Sequence, residues 1–110
     1  MATTYKVLGQ NAPTTTAEAT LYTVPALTQT VVSTLVIANL TATAALATVS
    51  ICVSAAATSN ANTILKTVSI AASSTATFTL GITMGAADLV RVTTGTANAL
   101  SFQAFGSEVA

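Results

Sequence analysis

Residues 30–54, TVVSTLVIANLTATAALATVSICVS, run for 25 residues without a charged side chain. A stretch that long meets the length of a membrane-spanning helix, about 20 predominantly apolar residues. Its composition argues against one. Thr30, Ser33, Thr34, Asn39, Thr41, Thr43, Thr48, Ser50 and Ser54 interrupt it throughout, and no Lys, Arg, Trp or Tyr flanks it as an interfacial anchor. Val31, Val32, Thr34, Val36 and Ile37 are β-branched, as are Thr48, Val49, Ile51 and Val53, and such residues fit the pleated surface of a strand. Between the two groups, residues 39–43 form a softer segment suited to a turn. In the second half Ala47, Val49, Ile51 and Val53 alternate with Thr48, Ser50, Cys52 and Ser54. That period of two sets an apolar face against a hydroxylic one. The stretch reads as two strands and a turn.

The same period recurs along the chain. Strands are expected at residues 5–8, 21–24, 64–70, 75–80, 88–93 and 100–105, with a stop at Pro25, loops at 11–16 and 81–87, and a turn at 95–98. Phe78 and Leu80 oppose Thr77 and Thr79, and Val90 and Val92 oppose Leu89 and Arg91. Seven or eight short antiparallel strands at this spacing predict an all-β chain. The expected architecture is a single-domain β-sandwich over 1–110, Ig-like or Greek-key/jelly-roll, with 1–16 and 106–110 as candidate extended arms. Area scaling gives a folded surface of roughly 5,600 Å² against roughly 15,800 Å² extended, enough burial for a core without staples.

Charge narrows the function classes. Lys6, Glu18, Lys66, Asp88, Arg91 and Glu108 are the only charged side chains, and they sum to zero. With 23 Thr and 23 Ala, the surface must be built from hydroxyls and small side chains. A chain so poor in charge tends to associate, which points to a homo-oligomer, dimer or trimer, with a monomer kept soluble by its hydroxyls as the alternative. Three scattered cations make no phosphate-binding patch, so nucleic acid is not an expected partner, and neither is a membrane. Histidine is absent, which removes the commonest general base, the Ser-His-Asp triad and the main zinc and copper ligand. Cys52, alone, offers no disulfide within the chain. Glu18, Asp88 and Glu108 fall in segments that read as loop, strand edge and terminus, Lys66 reads as a surface lysine on a strand, and Gly81 and Gly85 read as turn glycines. The expectation is a non-enzymatic protein with no metal and no cofactor. The opening MATTYKVLGQ lacks the 7–15-residue apolar core of a secretory leader, so a chain that stays in the cytoplasm where it is made, or joins an assembly there, is expected.

Five residues stand out as candidate contacts with another subunit or a partner. Phe102 and Phe105 fall on opposite faces of the last strand, so one of them should be exposed or covered by another chain. Asp88 and Arg91 flank one short strand as an ion pair offered to a partner or as a local surface pair. Cys52 lies on the face away from the apolar one, at a subunit contact or as a small apolar filler. Asn39-Leu40-Thr41 matches a glycosylation acceptor but reads as a turn.

The segments YKVLGQNAP, LYTVPALTQTVVSTLVIANLT, GITMGAADLVRV and LSFQAFGSEV together resemble small virion structural proteins of tailed bacteriophages, particularly those infecting cyanobacteria. The resemblance spans nearly the whole chain. It implies a β-sandwich assembled on the virion as a homo-oligomer, with the major capsid protein as partner in a capsid decoration (cement) role. A tail, collar or fibre module of the same virion is the alternative. The family pattern names no functional residues. A sugar-binding module, which would use Tyr5, Tyr22, Phe78, Phe102 and Phe105, and a self-assembling fibrous protein are the other classes that the residues leave open.

Overall fold

A computed structural model describes residues 2–110. Eight strands follow one another: β1 Thr3–Asn11, β2 Ala19–Thr23, β3 Gln29–Asn39, β4 Ala45–Cys52, β5 Thr63–Ile70, β6 Thr75–Met84, β7 Leu89–Thr94 and β8 Leu100–Val109. A single 3-10 turn, Val53–Ala55, follows β4. No helix among the described residues is long and apolar enough to cross a membrane. The charge-free stretch is β3, a turn and β4.

The strands pair antiparallel in a nested order: first with last, second with seventh, third with sixth, fourth with fifth. The chain is thus one long hairpin whose tip is β4–β5. Rolling that ribbon up adds two further pairings, β3 with β8 and β4 with β7. The result is two four-stranded sheets, β1-β8-β3-β6 and β2-β7-β4-β5, a double-sheet jelly roll. Leu35 and Ile37 of β3, Leu100 and Phe102 of β8, Val49 of β4 and Val90 and Val92 of β7 fill the space between the sheets. The folded chain exposes 5539 Å², close to the area that its mass dictates.

Several strands run further than their apolar pattern. β8 continues through Gly106, Ser107 and Glu108 because it lies between β1 and β3 and is paired on both sides. The expected arms at 1–16 and 106–110 are therefore sheet over Thr3–Asn11 and up to Val109, and Ala2 and Ala110 exchange backbone hydrogen bonds at 2.9 and 3.0 Å. β6 passes through the expected loop at 81–87 as far as Met84. Gly81, at φ +61°, helps it do so, where Leu80 and Gly81 stand opposite Ser33 in a bulge. At Gly9 the two sheets nearly touch: a Cβ there would lie 2.1 Å from the Leu21 carbonyl oxygen.

The turn after β3 hangs on Asn39. Its amide nitrogen donates to the carbonyls of Thr43 (2.9 Å) and Ile70 (3.0 Å), and its amide oxygen accepts from the Thr41 N–H (2.9 Å) and hydroxyl (2.8 Å). Asn39 is buried, so Asn39-Leu40-Thr41 is a turn whose amide nitrogen is already committed. The alternation of β4 carries Ala47 and Val49 inward, and Ile51 faces Val90 from the same side. It ends at Cys52: Val53 leaves the sheet in the 3-10 turn and is exposed, not inward.

Candidate functional site

The five sequence candidates do not form one site. Phe102 is wholly buried between the sheets, so it is a core residue and not a contact. Cys52 points to the outer side of the second sheet, opposite Leu89, yet it too is fully buried, because residues 53–62 fold back over it. It fills space beneath its own loop, and no subunit contact is open to it. Asp88 and Arg91 do not pair with each other: Asp88 lies in the turn before β7, while Arg91 lies within β7 and reaches Glu18 instead. The Asp88 carboxylate accepts the N–H of Gly85 and of Ser54, both at 2.9 Å, and so shapes the β6–β7 turn and the 3-10 turn. Arg91 lies over the covering loop, donating to the Ala56 carbonyl at 2.8 Å with Glu18 at 3.9 Å. Thr58 of that loop hydrogen-bonds Glu18.

Phe105 is different. It is half-buried on the outer face of the first sheet, where pairing places it beside Val7 of β1 and Thr34 of β3. The next row across the strands is Tyr5, Ser107, Val31 and Thr83, and the row on the other side is Gln10, Gln103, Val36 and Thr77. None of these positions is charged. Tyr5 is 83% exposed, and Val7 and Val31 stand well into solvent. Bulges at Leu8 in β1 and Ser33 in β3 flank β8 near Phe105. Bulges bend strands locally, and over them lies a groove of about 490 Å³ lined by Tyr5, Val7, Val31 and Phe105, with Lys6 and Ser33 also in its lining. A second groove of about 410 Å³ continues from Val31 to Met84 and Val109.

The first sheet is fastened to the second by a cluster that the sequence did not single out. Tyr22 of β2 donates its hydroxyl proton to Glu108 of β8 and therefore accepts from Thr30 of β3 at 2.8 Å. Lys6 of β1 reaches the other Glu108 oxygen at 3.3 Å. Burial, then the neighbouring Glu108, pushes the Tyr22 hydroxyl up to about 12. The Tyr22 bond, and secondarily Lys6, holds the Glu108 carboxyl below its ordinary value. Tyr22 and Glu108 stand 86 residues apart, and only the first-with-last, second-with-seventh pairing brings them together. Of the five aromatics available to stack on a sugar, Tyr22 and Phe102 are buried and Phe78 packs partly buried against the core, which leaves Tyr5 and Phe105 on the open face.

No protein-family model, curated protein or solved structure matches this chain.

Proposed function

We propose that this chain is a structural component of a virion, a decoration protein that binds the outside of a mature bacteriophage shell and bridges neighbouring capsid subunits. The observation that carries the reading is the outer face of the first sheet: Tyr5, Val7, Val31 and Phe105 over a groove, bordered by Thr, Ser and Gln, without a charged side chain in the paired rows. Lys6, paired with Glu108, is the one charged residue lining the groove, so docking on this face strips few ions of water and the contact depends only weakly on salt. A rigid sheet presents these side chains at fixed spacing, which suits a repeating surface. Jelly rolls serve in viral capsids and also in lectins and cupins, so the architecture supports the reading only as an analogy. Binding the closed shell at symmetry-related sites lowers its free energy by mass action.

The test is the copy number of this chain per purified particle, by quantitative mass spectrometry against the major shell protein. About one copy per shell subunit, or per local cluster of them, is the expected result. A handful of copies moves the protein to the tail or collar, and absence from particles overturns the virion reading.

A further inference from the structure

A sandwich of open sheets has four edge strands, and each is a row of unpaired backbone groups that must be protected. Three are. β2 is only five residues long and is followed by Pro25. β5 carries Lys66, has Thr67 at φ 46° and shifts register twice against β4. β1 carries Lys6, is bulged at Leu8 and closes on β2, where the Asn11 amide reaches the Thr20 carbonyl at 3.3 Å. β6 has none of these devices before its bulge. It spans ten residues, TATFTLGITM, with no charge and no proline, and Thr75–Ala38 to Thr79–Thr34 pair with β3 without a break. Phe78 and Ile82 face the core from this edge yet remain only partly buried, and Leu80 is exposed.

We infer that the free edge of β6 is a self-association site whose occupant is the β6 of a second copy, paired antiparallel about a two-fold axis. A copy is the fitting occupant for two reasons on the strand itself. An antiparallel pair of identical strands is two-fold symmetric, so each edge satisfies the other. The edge is also uncharged, so no like charges meet. The flank of β6 measures roughly 33 Å by 10 Å from strand rise and sheet spacing, or about 330 Å² per partner. That is below the standard interface of about 800 Å² per partner, so the dimer is reversible and concentration-dependent. Pairing would cover Phe78 and join two four-stranded sheets into one of eight strands, with both uncharged outer faces on the same side. The inference stands on the edge alone and does not need the shell-binding reading.

The experiment uses the full chain, free of particles, in sedimentation velocity from about 1 µM to about 1 mM, the range in which small interfaces dissociate. Thr77 and Thr79 are exposed on the outer side of β6, so a T77K/T79K variant keeps its core intact. In a pairing centred on Thr77 or Phe78 it sets lysine opposite lysine. The expected result is a monomer–dimer equilibrium whose dissociation constant rises at least tenfold in the variant. In the parent chain, amide exchange over Thr75–Thr79 should slow as concentration rises. A parent chain that is monomeric throughout overturns the inference. So does a dimer unaffected by T77K/T79K, or one whose exchange protection falls on β1 and β8 instead.

Discussion

Tyr22 and Asn39 each tie together strands that the chain order separates. Replacing Tyr22 by Phe leaves Thr30 and Glu108 without their shared partner at a site where Thr30 is buried. A cost of about 1–2 kcal/mol in urea unfolding at pH 7 is expected. The same group sets an alkaline limit. Its folded pKa, about 12, lies above the unfolded value of 10.0, so its contribution is complete below pH 10 and is lost as pH rises toward 12. Glu108 works the other way: its lowered pKa gives stability present above the ordinary carboxylate range and lost as pH falls through the folded value. Unfolding curves at pH 7, 9 and 11 should fall steeply in the parent chain between 9 and 11, and Tyr22→Phe should flatten that fall. Asn39→Ala orphans the buried carbonyl of Ile70 and releases the turn. About 2–3 kcal/mol is expected, seen as a drop of roughly 10 °C in Tm.

At the scale of strands, close approach rather than apolar content decides what each element tolerates. Gly9→Ala would drive a methyl into the Leu21 carbonyl and prise β1 from β2. A loss of about 2–3 kcal/mol in denaturant unfolding is the expected outcome, with Gly81→Ala as a contrast, since nothing lies within 4 Å of a Cβ there and only its positive φ is strained. β4 was legible in the sequence through its alternation over Ala47–Cys52, and β3 through its run of β-branched residues. The ends of β1, β6 and β8 were not legible. Gly106, Ser107 and Glu108 have no apolar pattern and are strand only because neighbours flank them on both sides, and Gly81 resembles a turn until a bulge absorbs it. Cys52 and Ser50 misled for a related reason: their outward direction was readable, but the loop that buries them was not.

For the molecule as a whole, the number and spacing of strand patterns foretold an all-β sandwich and the length foretold enough buried area for a core, while which strand pairs with which stayed open. The jelly-roll order was out of reach because it depends on pairings between residues as distant as Thr3 and Val109. The uncharged face was half legible: the shortage of charge was plain, but not that all six charges would avoid the paired rows of one sheet's outer side. Tyr5 and Phe105 were noticed as single aromatics, and only the register of β1 against β8 makes them neighbours over one groove. The same topology has a consequence in time. β8 sits between β1 and β3, yet it is synthesised about 60 residues after β3 ends, a delay of roughly 3–12 s at ordinary elongation rates. During that interval β1 has no strand to pair with, and β3 can pair only with β6 once β6 has been made. The second sheet can assemble from β2, β4, β5 and β7 while the first waits. The uncharged outer face therefore comes into being only when β8 slots into its centre, so an unfinished chain does not present it.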